Sequence, residues 1–160
     1  MELDTYDSLY QEVILDHYRR PRNHQLVPSP DLTARGLNPF CGDEVVFTAS
    51  LDDLEQIREV GLMGQGCAIS QASASMMGES LRGRTLGEAN NLLTLFKALM
   101  QSKEPTIEER ETLGVLATIE GVKRYPVRIK CALLAWSTLQ DALAQHHRAE
   151  EFPKTRNSEA

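Results

Sequence analysis

After Gly64 the pattern of the chain changes from strand to helix, and that change decides which folds are open to it. Before it, "EVVFTASL" (Glu44 to Leu51) and "EQIREVGLMG" (Glu55 to Gly64) are strand-like runs on either side of the polar pair Asp52–Asp53. That is the pattern of an antiparallel hairpin. After it, apolar residues recur at helical spacing almost to the end. "CAISQASASMMGESLRG" closes at Gly83, a glycine placed as a C-cap. Thr85 with Glu88 forms a capping box for a helix whose core face is Ala89, Leu92, Leu93, Phe96 and Met100. Thr106 with Glu109 opens a shorter helix ending near Gly121, and a last helix runs from about Val127 to His146. The last one carries Ile129, Leu133, Trp136, Leu139 and Leu143 on one side. Ahead of the hairpin, helical spacing from about Thr5 to Arg20 stops at Pro21. A loop follows through Pro28, Pro30 and Gly36. The expected fold is α+β: a small antiparallel sheet of about three strands with helices packed on it. It forms a single domain over residues 1–147, followed by a polar, disordered tail over 148–160.

A chain of 160 residues, 41% hydrophobic and 25% charged, holds one domain with its own core. No apolar run approaches the roughly 20 residues of a membrane helix. The acidic, amphipathic start "MELDTYDSLYQEV" lacks the basic and apolar regions of an export signal, so a cytoplasmic location is expected. A net charge of −6 argues against nucleic acid as a partner. The local basic stretch "HYRRPRNH" (His17 to His24) suits a protein partner instead.

Three cysteines are an odd number for a disulfide framework in a cytosolic-type chain, which shifts weight to metal binding or thiol chemistry. Small buried thiols are the plain alternative. Cys41 lies in the Pro–Gly turn of "LNPFCGDEVVF", and Asp43, two residues on, shares its side of an extended chain. Cys67 follows "GQG" where strand gives way to helix. Cys131 lies soon after Pro126, in the first turn or so of the last helix. Near a helix N-terminus the partial positive charge favours a thiolate. Three thiolates and a carboxylate form a donor set that suits tetrahedral Zn²⁺. Such a set carries four negative charges and a divalent ion offsets two, so Arg128 and Lys130 are placed to compensate some of the rest. The plainer reading of both is as solvated residues of a first helical turn. The spacing is unlike the close CxxC pairs of zinc ribbons. Spacing alone leaves a shared site and separate thiols both open.

The three cysteine segments "NPFCGDEV", "GQGCAISQASASMM" and "RIKCALLAW" resemble the three cysteine motifs of the IscU/SufU family of iron–sulfur cluster assembly proteins, related to the NifU N-terminal domain. "DHYRRPRN" (Asp16 to Asn23) is similar to that family's N-terminal signature. The likeness runs in order from Tyr6 to about Leu143. It implies that Cys41, Asp43, Cys67 and Cys131 meet in space. The IscU branch typically has a His before the third cysteine and an "LPPVK" segment that docks a chaperone. Here Lys130 stands before Cys131, no such segment is found, and extra residues, roughly Ser102 to Val122, separate the second and third cysteines. All three departures resemble the SufU branch. That branch implies a zinc-dependent acceptor of persulfide sulfur from a SufS-type cysteine desulfurase, a sulfurtransferase-type partner rather than a stand-alone enzyme. Cys41 is then the sulfur acceptor, on a turn that lets it leave the metal. Arg128 steers the persulfide or stabilises the freed thiolate, and downstream cluster-assembly proteins are further partners. The alternative is a scaffold holding a [2Fe–2S] cluster on the same four residues.

Other readings carry less. A zinc staple in an interaction module is disfavoured by Asp43, because closed structural sites use Cys and His. A thiol hydrolase lacks a paired His and Asn or Asp. His146 and His147 read as solvated or helix-terminal, His17 as a packing residue, and His24 as a loop residue. Met63, Met76, Met77, Met100 and Trp136 read as core. The serines of "SQASAS" read as aids to close packing, with Ser70 or Ser73 able to donate to a thiolate. Gly64 and Gly66 lack the lysine and flanking pattern of a phosphate loop.

Overall fold

The structure is a computed structural model that describes residues 12–39, 42–101 and 103–151. Helix α1 covers residues 12–19 and stops ahead of Pro21, as expected; residues 5–11 of the expected helix lie outside the described residues. Strands β1 (Leu32–Asn38), β2 (Asp43–Leu51) and β3 (Ile57–Gln65) form one antiparallel sheet in that order. Helices α2 (Ala68–Leu81), α3 (Leu86–Met100) and α4 (Ile107–Leu113), a 3-10 helix (Gly114–Arg124) and α5 (Pro126–Glu151) follow. The α+β expectation is correct, and the sheet has three strands.

The strand that sequence reading does not locate is β1, which occupies the end of the expected Pro- and Asn-rich loop. Leu32, Ala34, Gly36 and Asn38 turn inward along it, but only Leu32 and Ala34 bring apolar side chains, so its hydrophobic alternation is short and weak. Gly36 interrupts the pattern for a packing reason. A Cβ there would meet Thr138 Oγ1 of α5 at 2.0 Å, so β1 and α5 touch without a side chain between them. The β1–β2 register pairs Leu32 with Ala49 and Asn38 with Asp43. The β2–β3 register pairs Glu44 with Gln65 and Val46 with Met63, with an irregularity at Ser50–Leu51. Val45, Phe47, Ala49, Val60 and Leu62 point from the sheet into the core.

Helix α2 is buried along almost its whole length, from Ser70 through Met76 and Met77 to Leu81. Its small residues let it lie between β3 and α5. A buried hydroxyl fixes that pairing: Ser73 Oγ donates to the Ala132 carbonyl at 2.6 Å and accepts from Trp136 Nε1 at 3.2 Å. Trp136 also stacks on Phe96 of α3, with centroids 4.5 Å apart. The expected core face of α3 is buried at every named position. On α5 the buried stripe is broader than expected. Ala132, Ala135, Trp136, Leu139 and Ala142 lie inside, while Ile129, Leu133 and Leu143 are only partly covered. Alanines allow the close helix contact, which a reading of large apolar residues overlooks. Met63 is likewise only half-buried.

Both capping boxes form, Thr85 with Glu88 and Thr106 with Glu109. Within the extra segment, roughly Ser102 to Val122, residues 107–122 therefore carry regular secondary structure, with Leu113, Leu116, Ile119 and Val122 buried. The short helix expected to run to near Gly121 instead tightens into 3-10 geometry at Gly114, which has φ +56. Helix α5 begins at Pro126, a favoured first helical residue, and continues to Glu151. The helix thus runs past His147, where the expected tail begins; residues 152–160 lie outside the described residues. Among the described residues, no helix is long and apolar enough to cross a membrane.

Candidate metal centre

Three elements end or begin at one corner of the molecule, and each brings a side chain. Asp43 opens β2 and is 1% exposed. Its neighbour Glu44 pairs with Gln65, the last residue of β3, so the chain leaving β3 passes directly over the Asp43 carboxylate. Gly66 makes that passage: a Cβ there would lie 2.5 Å from Asp43 Oδ1. The next residue, Cys67, is the N-cap of α2, and its sulfur accepts from the Ser70 backbone N–H at 3.5 Å. A sulfur in this position faces the unpaired N–H groups of a helix start, where negative charge is favoured. Cys131 lies in the second turn of α5, slightly deeper than expected, and is 1% exposed. The Ser73–Ala132 bond, one residue from Cys131, holds this turn against α2.

The donor atoms of Asp43, Cys67 and Cys131 all lie within 4.8 Å of one another. Asp43 divides its two oxygens. Oδ1 accepts the Cys67 backbone N–H at 3.0 Å, while Oδ2 faces the Cys67 sulfur at 3.7 Å. Two tetrahedral ligands at usual zinc–sulfur and zinc–oxygen lengths sit about 3.6 Å apart. The sulfur and carboxylate are therefore already at the spacing of a shared ion. Both thiols and the carboxylate fit a metal that accepts sulfur and oxygen, and these three residues could hold one. Cys41, the fourth expected ligand, lies outside the described residues. On either side of it Asn38 pairs with Asp43, and the Gly42 N–H donates to the Asn38 carbonyl at 2.8 Å. Gly42 adopts φ +72, which a glycine reaches without strain.

Arg128 reaches back over the site from the first turn of α5. A hydrogen bond to the Cys131 sulfur, followed by the negative charge at Cys67, holds its guanidinium above the ordinary range. Arg128 thus brings positive charge beside the thiols, and Lys130, like Arg128, is an exposed residue of α5. The serine expectation needs correction. Ser70 contributes its backbone N–H to Cys67, and the Ser73 hydroxyl is committed to Ala132 and Trp136. The glycine that matters, Gly66, is legible as part of "GQG" but gains its meaning only from Asp43 beneath it.

His17 is a packing residue, 3% exposed, with Nδ1 2.8 Å from the Ser75 hydroxyl of α2. His24 is exposed. His147 is exposed as expected, whereas the side chain of His146 is only 17% exposed, because α5 continues past it and it is not terminal.

Comparison with known proteins agrees with this arrangement. The zinc-dependent sulfurtransferase SufU of Bacillus subtilis is 37% identical over 139 residues, covering 87% of this chain and 92% of that protein. The iron–sulfur cluster assembly scaffold protein IscU of Streptococcus pyogenes serotype M1 is 33% identical over 152 residues, covering 95% and 93%. Among solved structures, the iron–sulfur cluster assembly scaffold protein for the SUF system (FiSufU) from Fervidobacterium islandicum AW-1 superposes with a TM-score of 0.77 at 36% identity, over 82% of this chain and 94% of that one. The NifU-like N terminal domain family matches residues 9–151, a span holding the whole three-stranded sheet, its helices and the thiol–carboxylate corner, and the chain belongs to that family, the IscU/SufU family of iron–sulfur cluster assembly proteins.

Proposed function

We propose that this protein is a zinc-dependent sulfur acceptor, which takes persulfide sulfur from a SufS-type cysteine desulfurase and carries it into iron–sulfur cluster biogenesis. The observation that carries the reading is the convergence of Asp43, Cys67 and Cys131 beneath a guanidinium, with Cys41 two residues from Asp43 in the sequence. Similarity to a protein named a zinc-dependent sulfurtransferase supports it, as do Lys130 before Cys131 and the extra residues, roughly Ser102 to Val122, between the second and third cysteines.

Zinc, held by Cys41, Asp43, Cys67 and Cys131, would keep the thiols deprotonated and shielded from oxidation. Cys67 and Cys131 anchor the site, being fixed by the start of α2 and the second turn of α5. Cys41 is the nucleophile. Its thiolate attacks the terminal sulfur of the partner's persulfide, a new sulfur–sulfur bond forms on Cys41, and the desulfurase cysteine leaves as a thiolate. The exchange is redox-neutral: two negative charges stand on the Cys41 thiolate and the anionic persulfide before it, and on the Cys41 persulfide and the desulfurase thiolate after it. Arg128 is placed to attract the anionic persulfide. Leu37, Tyr125 and Val127, 62%, 58% and 80% exposed, lie on or beside the elements that bear the ligands and give a partner apolar surface to cover. A reducing, cytoplasmic compartment suits this chemistry.

The second reading, a scaffold that assembles a [2Fe–2S] cluster on the same residues, is favoured by the relatives named IscU. One experiment separates the two. The protein is purified without added metal, its zinc and iron are measured, and it is added to the desulfurase. One zinc per chain, no visible absorption and a Cys41-dependent rise in alanine production are expected. A brown protein that passes its cluster to an apo-acceptor and leaves the desulfurase rate unchanged would overturn the sulfur-acceptor reading.

A further inference from the structure

Far along α5 from the thiols lies a second group of metal-type ligands. Cys131 and His146 are on the same helix, and at a rise of about 1.5 Å per residue they are separated by roughly 22 Å. His146 and Glu150 are one turn apart, with Nε2 and Oε1 3.3 Å from each other. Glu55, in the turn between β2 and β3, completes the group, and the three donor atoms lie within 4.8 Å of one another. We propose that Glu55, His146 and Glu150 form a second, thiol-free site for a divalent transition-metal ion, which ties the β2–β3 turn to the C-terminal end of α5.

Three observations carry this. The His146 Nε2 is sealed from solvent and, among the described residues, makes no hydrogen bond of regular geometry, its one polar contact being the 3.3 Å approach of Glu150 Oε1, an arrangement that a shared cation would complete. The neighbouring His147–Glu151 pair has the same spacing, yet its ring is 73% exposed, so helix periodicity alone does not explain His146. Second, Glu55 and Glu150 crowd each other. Their carboxylate oxygens are among the three donor atoms that lie within 4.8 Å of one another, so two acidic groups face the position that a cation would occupy between them. Third, the group borders an open groove of about 500 Å³ lined by Leu86, Asn90, Gln140, His147 and Glu150, which gives an ion and its water ligands a way in. A 3.3 Å separation also suits two ligands at zinc–nitrogen and zinc–oxygen lengths, which sit about 3.4 Å apart at a tetrahedral angle. One imidazole and two carboxylates suit Zn²⁺, Fe²⁺ or Mn²⁺ rather than the softer ions that thiolates select.

The test is a Zn²⁺ titration of the tag-free full chain, read by competition with a chromophoric chelator. Wild type should take two equivalents. His146→Ala and Glu150→Gln should each weaken the second at least about tenfold, since losing a direct ligand costs no less than losing an outer partner. Cys67→Ser should disturb the first equivalent and leave the second intact, which keeps this site separate from the thiol reading. Glu150 is half-exposed, so its variant remains informative if His146→Ala loosens the helix. A single equivalent in wild type, or a second that neither variant weakens, would overturn the proposal.

Discussion

The Cys67 backbone N–H donates to Asp43 Oδ1 at 3.0 Å, while the other carboxylate oxygen faces the Cys67 sulfur. One side chain therefore both fixes the start of α2 and supplies a hard donor to the thiol pair. The two duties can be separated. Asp43→Asn keeps an oxygen for the N–H but removes the anionic ligand, so it should lose metal affinity at nearly unchanged stability. Asp43→Ala removes both and leaves a buried donor unpaired, which costs about 1–3 kcal/mol. Chemical denaturation of the metal-free proteins beside chelator competition checks this; equal stability losses in both variants would contradict it.

Gly66 lies so close to Asp43 that a methyl group has nowhere to go. An alanine there would put its methyl carbon 2.5 Å from the carboxylate oxygen, so Gly66→Ala must push Asp43 out of the site or shift the β3–α2 junction. A loss of about 1–3 kcal/mol is expected, as for other overpacked positions, together with a metal content well below one per chain. Metal analysis after purification is the measurement, and full metal content in the variant would show that the carboxylate is not needed.

Much of this is legible in the sequence, and the failures share a cause. The hairpin, both capping boxes and the core face of α3 follow from local pattern, because each is decided by residues within one or two turns of each other. The corner where Asp43, Cys67 and Cys131 meet is not local: it depends on β2 pairing with β3 and on Ser73 gripping Ala132. In the sequence, only likeness to a family brings those residues together. Strand β1 escapes detection because Gly36 and its short alternation carry little hydrophobic signal, and its place is set by contact with α5. His146 departs from its expected exposure because its burial follows from where α5 ends and from the Glu55 turn packed near it, neither of which spacing reveals.

Arg128 supplies positive charge beside two sulfurs from an otherwise exposed position. Its removal should leave the fold alone and act on the site. Arg128→Ala is expected to weaken metal binding about tenfold, because the ligand set keeps more uncompensated negative charge and ligands must lose protons to bind. Arg128→Lys should recover part of that loss, since a point charge replaces a planar fork. Thermal unfolding of the metal-free variants should match wild type. A large drop in melting temperature would assign Arg128 to stability instead.

His17 gives the fold a pH dependence whose direction is set by burial. Desolvation, helped by the nearby Arg22 charge and opposed by Glu79 and Asp16, holds its imidazole below the ordinary value. Above about pH 6.5 the ring is neutral in both folded and unfolded chains, so it adds no slope there. As pH falls below that value, the unfolded chain takes up a proton that the folded protein resists. Stability is then lost through the interval down to the folded value, at no more than about 1.4 kcal/mol per pH unit from this residue. His17→Gln cannot titrate. It should lose about 1 kcal/mol relative to wild type at about pH 7.5 through its altered contact with the Ser75 hydroxyl, a gap that narrows towards about pH 5.5, so its urea midpoint should vary less than that of wild type across the range that brackets the ordinary imidazole value. Parallel pH profiles for the two proteins would show that the acid sensitivity arises elsewhere.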